Sequence, residues 1–233
     1  MRIDKYLTKT GLGSKKEVKN IIKKKLIYVD GEQIKSNSFS VTEKSNVYYL
    51  NNGKLEKLIY EEYIYLMLHK PKEYVCAKQD NLHKTVLELI KGYDERDLHI
   101  VGRLDVDTEG LLLITDDGNF THQVTSPKND ISKTYYVEFS GVLDKEAKQK
   151  VLDGILLDDA EVTKPGILEI INESSSYITI TEGKFHQVKR MFAALGTKVT
   201  YLKRERINDL ELDIPIGTFR KLSNDDLCKI IKK

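Results

Sequence analysis

Residues 102–110 read Gly-Arg-Leu-Asp-Val-Asp-Thr-Glu-Gly and place carboxylates at alternate positions: Asp105, Asp107 and Glu109. One chemistry that uses this pattern is calcium binding. Asp105, Asp107, Glu109 and Gly110 fit the first, third, fifth and sixth positions of a calcium loop, and Asp116 falls at the twelfth. Two of those positions carry the less favoured acid. The run 111–115, bounded by Gly110 and Asp116-Asp117-Gly118, also reads as a strand where a calcium loop needs a helix. A second chemistry is phosphotransfer, where Asp105-x-Asp107 would be the acidic pair. Gly102-Arg103 stands where a strand should directly precede it, and no Gly-rich phosphate loop accompanies it. The plain alternative is a polar turn between two strands, which leaves Arg103 and Asp105 around an apolar Leu104 unexplained.

A second reactive cluster is Glu182-Gly183-Lys184-Phe185-His186-Gln187-Val188-Lys189-Arg190-Met191-Phe192. His186 and Gln187 suggest a general base, but no third member lies at a recognisable spacing. Both are therefore read as supporting groups. The elements around these clusters follow from periodicity. At about 100° per residue, Phe185, Val188, Met191, Phe192 and Leu195 share one helix face. Lys189 falls beside that face and Arg190 on the opposite side. Tyr135, Val137 and Phe139 share one strand face, so Tyr135 reads equally well as core. Residues 63–68 read as a strand ending at His69-Lys70-Pro71, and 85–90 as a short helix.

Upstream, Ser14-Lys15-Lys16-Glu17 has the form of a capping box. Val18, Ile21 and Ile22 follow at helical spacing and leave Lys15, Lys16, Lys19 and Lys23 outside the apolar stripe; Lys24 and Lys25 extend the charge. Residues 26–29 are β-type, Asp30-Gly31 signals a tight turn, and Val41 and 47–50 read as further strands. The polar stretch 51–57 reads as a linker, which sets domains at 1–60 and 61–233.

The chain has 233 residues and 40% hydrophobic content, enough for a packed core. No apolar run approaches the roughly 20 residues of a membrane span, and Met1-Arg2-Ile3-Asp4-Lys5 lacks the apolar stretch of a signal peptide. Cys76 and Cys228 lie far apart and outside zinc-type spacing, so no metal and a cytoplasmic location are expected. Residues 1–58 carry 13 Lys/Arg against 6 Asp/Glu, a net +7; the remainder carries 25 against 30, a net −5. A basic head on a mildly acidic body predicts a polyanion-binding module joined to a second domain.

The blocks Arg2-Ile3-Asp4-Lys5-Tyr6-Leu7, Gly13-Ser14-Lys15-Lys16-Glu17-Val18 and Val29-Asp30-Gly31 together resemble the S4 RNA-binding domain. That resemblance implies RNA contacts from Arg2, Lys5, Ser14, Lys15, Lys16, Lys19 and Lys23. Gly102-Arg103-Leu104-Asp105-x-x-Thr108-x-Gly110-Leu111-Leu112 is similar to the signature of the RNA pseudouridine synthases, within them to the RsuA-type branch that carries an N-terminal S4 domain. Lys70-Pro71, Lys133-Thr134-Tyr135, the 182–192 block and 202–207 fit further motifs in order. The resemblance implies an α+β architecture: a small S4 domain, then a catalytic domain with a mixed, mainly antiparallel sheet and flanking helices. It implies isomerisation of uridine to pseudouridine in ribosomal RNA, without a cofactor; a monomer is the default expectation, and the short apolar runs predict no membrane association. It favours 16S rRNA or a small-subunit assembly intermediate. A 23S rRNA substrate and a non-catalytic ribosome-assembly factor are the alternatives.

By the same resemblance, Asp105 is the catalytic carboxylate and Lys189 its cation partner. The family often has Arg at the latter place, and Lys keeps the charge but loses the bidentate fork. Tyr135 would stack on the uracil or act as a base, and Arg103 would fill the gap left by the flipped nucleotide. Leu202 would pack under the uracil. Lys70, His186, Gln187, Lys203, Arg204 and Arg206 complete the expected substrate-binding set.

Overall fold

The computed structural model describes residues 1–42, 44–93 and 96–231. The chain divides into two compact units: Met1–Ile64 with Lys91–Leu98, and Tyr65–Ile90 with His99–Lys233.

The first unit begins with helices α1 (Ile3–Lys9) and α2 (Lys15–Lys23). The α2 start is set by a complete capping box. Ser14 Oγ accepts from the Glu17 backbone, and Glu17 Oε2 accepts from the Ser14 N–H at 2.8 Å. Val18 and Ile22 turn inward onto Ile3, Leu7, Ile27 and Val47, and Ile21 packs at the edge. Strands β1 (Ile27–Val29) and β2 (Glu32–Gln33) are joined by Asp30-Gly31, both with positive φ, as a two-residue hairpin requires. Strand β3 (Val47–Asn51) completes the expected elements. The stretch 51–57, expected to be a linker, instead turns through Asn52 (φ 50°) and Gly53 (φ 82°) into strand β4 (Lys54–Leu58). Val41, expected in a strand, is buried in irregular chain. The sheet order is β2-β1-β3-β4.

The second unit opens with β5 (Tyr65–Lys70), which runs through His69 and Lys70 rather than ending before them. A parallel pair, β6 (Tyr74–Val75) and β7 (Lys84–Thr85), precedes a 3₁₀ turn at Val86–Leu89, where a short helix was expected. Next come β8 (His99–Val101), β9 (Glu109–Thr115) and α3 (Gly118–Thr125); Asp117, in the expected turn, caps α3. Then follow β10 (Lys133–Gly141), α4 (Ala147–Asp153), β11 (Ile167–Asn172) and β12 (Ser175–Ile180). Helix α5 (Gln187–Ala194) leads into β13 (Thr197–Ile207), and β14 (Leu210–Glu211), β15 (Phe219–Lys221) and α6 (Asn224–Ile230) close the chain.

These strands build one nine-stranded sheet, in order β11-β12-β10-β13-β9-β5-β15, with β14 on β13 and β8 on β9. β9 and β13 pair in parallel, against antiparallel pairings elsewhere in this sheet. The arrangement is the mixed, mainly antiparallel one expected. Its parallel seam depends on Gly110. A Cβ there would lie 2.5 Å from the Arg204 backbone nitrogen, and φ is +116°. Only glycine lets the two backbones approach so closely.

Candidate active site

The loop between β8 and β9 carries Asp105. It is held from below by Lys70, which is fully buried at the end of β5. The Lys70 ammonium donates to the carbonyls of Asp105 (2.9 Å), Val106 (3.3 Å), Thr108 (2.8 Å) and Pro71 (3.0 Å). Burial lowers its pKa, partly offset by Cys76, Asp107, Asp105 and Glu109. Lys70 therefore clamps the loop, and its expected place among the substrate-binding groups is corrected by its total burial. Cys76 Sγ adds a contact to the Leu104 N–H at 3.3 Å. Burial pushes the Cys76 thiol up, which makes it a poor nucleophile.

Helix α5 delivers the cation. Lys189 Nζ lies 3.1 Å from Asp105 Oδ2 and 2.6 Å from Asp107 Oδ1. Burial pulls the Lys189 pKa down, but its bonds to the two carboxylates outweigh this and leave it raised. Burial likewise pushes Asp107 up, and the Lys189 hydrogen bond and charge leave it below the usual carboxylate range. Asp107 is a partner that sequence reasoning missed: it reads there only as a calcium ligand or as half of a phosphotransfer acidic pair. Its alternate spacing from Asp105 was the available signal. Arg190 turns to Asp158 and Asp159 instead, with Nε 2.6 Å from Asp158 Oδ1. His186 Nε2 sits 3.7 Å from Asp105 Oδ1.

Phe185 departs from the expected helix face. His186 adopts a left-handed conformation (φ 48°) immediately before the helix, so Phe185 lies outside it, 71% exposed, with its ring stacked on His186. Gln187 is buried and engaged at both ends. Its Oε1 accepts from the Lys184 N–H and its Nε2 donates to Glu182 Oε1, each at 2.8 Å. It braces the turn before α5.

Asp105 opens on a cleft of about 530 Å³. Arg103 lines it as an exposed side chain. The opposite wall comes from β10 and β13, where Tyr135 pairs with Arg204 and Val137 with Leu202. Tyr135 and Leu202 are buried and line the cleft, as does Arg204. Lys203, Arg204 and Arg206, expected together in the substrate-binding set, do not share one surface. Alternation along β13 puts Lys203 on the face away from Leu202 and Arg204, 3.2 Å from Glu205. A register shift between Thr134 and Tyr135 bulges the strand, and Arg206 lies outside the cleft lining, 4.0 Å from Glu211.

In the first unit, Lys5, Lys15, Lys16, Lys19 and Lys23 are exposed. Arg2 pairs with Asp4 at 2.7 Å, and Ser14 is engaged in its cap. Among the described residues, no group of His, Cys, Asp and Glu is arranged to hold a metal, and no helix is long and apolar enough to cross a membrane.

Residues 64–194 match the family described as RNA pseudouridylate synthase, and residues 1–47 match the S4 domain. The chain is 43% identical over 235 residues to the ribosomal small subunit pseudouridine synthase A of Vibrio parahaemolyticus, covering 99% of each chain. It is 36% identical over 234 residues to the protein of that name from Escherichia coli strain K12, covering 99% of this chain and 100% of that one. A solved structure described as a pseudouridylate synthase matches with a TM-score of 0.69 and 37% identity, over 99% of this chain and 100% of that one.

Proposed function

The chain belongs to the RNA pseudouridylate synthase family and is an RNA pseudouridine synthase with an S4 RNA-binding domain, and we propose that its substrate is a uridine of ribosomal RNA. The names of its full-length relatives support the small-subunit 16S rRNA, bare or in an assembly intermediate. The target in this reading is uridine 516 in the usual rRNA numbering. The observation that carries the chemistry is Asp105 at a cleft, on a clamped loop, with the Lys189 ammonium 3.1 Å away.

The reaction breaks C1′–N1, turns the uracil and joins C5 to C1′. The Asp105 carboxylate either attacks C1′ or acts on the ribose by a glycal-type path. Lys189 offsets its charge and fixes its orientation, which a reactive anion shielded from water requires. Tyr135 and Leu202 bracket the flipped base, and Tyr135 is a candidate to take the C5 proton. Arg103, on the rim, takes the place of the departed base in the RNA stack. The free lysines of α2 contact phosphates and supply affinity without reading sequence. Free Cys76 and Cys228 suit a reducing cytoplasm, and the reading is of a monomer.

Tritium release from C5-labelled RNA tests this reading. Wild-type protein should release tritium from 16S and not 23S transcripts, with or without small-subunit proteins. Asp105→Asn should lose about 10³-fold or more of that rate while binding RNA within a few-fold of wild type. Release from 23S alone would move the substrate to the large subunit, and equal loss of binding and turnover would refute the separation of roles.

A further inference from the structure

The cleft has a second cationic end that the roles above leave unused. Arg204 is 2% exposed in the cleft wall. Its Nε donates to the Leu111 carbonyl at 2.8 Å, and its Nη1 approaches Tyr135 Oη at 3.5 Å. Its Nη2 is enclosed by protein and has no hydrogen-bond partner among the described residues. Among the described residues no carboxylate pairs with this guanidinium. Lys133, two residues before Tyr135 on β10, also lines the cleft, and its Nζ donates to the Ile131 carbonyl at 2.9 Å. Burial, then the charges of Arg204 and Lys164, lower Lys133 to about 8.

The two carboxylates of the lining are engaged elsewhere. Asp105 faces Lys189, and Glu182 accepts from Gln187 Nε2 and the Lys164 N–H. A buried cation without a counter-charge is costly to keep. A cleft wall that keeps one is preorganised for negative charge that develops in the substrate.

We propose that Arg204 is a further charge-stabilising residue of the reaction: its guanidinium, in the cleft wall with Lys133, offsets the negative charge that forms on the flipped uracil as C1′–N1 breaks. This rests on the uridine-isomerising reading of the site. The electron pair of C1′–N1 leaves with N1, so the detached base is a uracilate whose charge spreads over N1 and both carbonyl oxygens. When C5 bonds C1′, the C5 proton departs and N1 regains one, with no net oxidation. A cation that meets diffuse charge from the cleft wall keeps the base near C1′ while leaving it free to turn.

The test uses the full chain and the variants Arg204→Met, Arg204→Lys and Lys133→Met, each checked for folding by thermal melting. Single-turnover cleavage of C1′–N1 at saturating RNA is followed as loss of the target nucleoside, with uridine and with 5-fluorouridine, whose C5 has no proton to give up and which therefore reports bond cleavage and not pseudouridine formation. Fluorine withdraws electrons and makes the base a better leaving group. Arg204→Met should slow uridine conversion by about 10²–10³-fold with RNA affinity within about threefold of wild type. Arg204→Lys should recover most of the loss, and Lys133→Met should lose less than Arg204→Met. The Arg204→Met defect should shrink at least about tenfold on the fluorinated base. Equal defects on the two bases would assign Arg204 to holding Tyr135 alone and overturn the proposal, as would a wild-type rate. Free 5-fluorouracil, titrated and followed by fluorine NMR, separates this from the RNA assignment. Binding by wild type that is lost in Arg204→Met supports the proposal even where no ribosomal RNA turns over. Equal shifts in both proteins, or none in either, overturn it.

Discussion

Two short helices, α2 and α5, both carry cations and use their charges in opposite ways. On α2, Lys15, Lys16, Lys19 and Lys23 are exposed, and among the described residues none has a carboxylate partner. On α5, Lys189 and Arg190 are each held by two carboxylates. Free ammonium groups can exchange water and counterions for phosphates, and they tolerate many geometries. Paired ones set the geometry of their partners and tolerate few. Charge density therefore says little about function until the counter-charges are located.

The sharpest way to break this comparison is Lys189→Met. We expect a loss of about 10²–10³-fold in single-turnover rate, with RNA affinity nearly unchanged, because one preorganised cation at the reacting carboxylate is removed. A loss of binding equal to the loss of rate would make α5 a second RNA-contacting helix like α2. Next in size is the triple change of Lys15, Lys16 and Lys19 to Gln. It should weaken RNA binding about tenfold or more near 0.15 M salt and flatten the dependence of log K on log salt by about two to three units. An unchanged slope in a salt titration would take α2 off the RNA. Ser14→Ala should cost about 1 kcal/mol in chemical unfolding, by removing the α2 cap. Its effect on binding should follow helix loss and not charge. The smallest effect is expected for Arg190→Gln, whose partners Asp158 and Asp159 are solvent-accessible. Its turnover should stay within about twofold of wild type, since such exposed pairs contribute little; a Lys189-sized loss would erase the distinction between adjacent α5 charges.

The inward turn of Lys189 was legible because a 3.6-residue period fixes which side chains sit beside an apolar face. Asp105 on a loop was legible because Gly102 and Gly110 interrupt apolar runs that read as strands. The separation of Arg204 from Lys203 was equally available from the two-residue period of a strand, although the bulge near Thr134 also affects where Arg206 falls. Asn52-Gly53 was a hairpin signal hidden in a polar stretch that resembled a linker. Other features had no local signature. The burial of Lys70 depends on four carbonyls, three of them more than thirty residues away. The left-handed His186 arises where the chain enters α5, and a non-glycine residue gives no warning of it.

Lys70 has a consequence for how the enzyme responds to its surroundings. Four backbone oxygens at 2.8–3.3 Å gather around its ammonium much as they would around a bound monovalent ion. This ion is covalently attached to β5 and cannot be exchanged for sodium or potassium. On the proposed reading, rising ionic strength strips RNA from the free lysines of α2, but it has no competitor to offer the loop that carries Asp105. The proposed grip on RNA then answers to salt, while the placement of the Asp105 carboxylate is insulated from it.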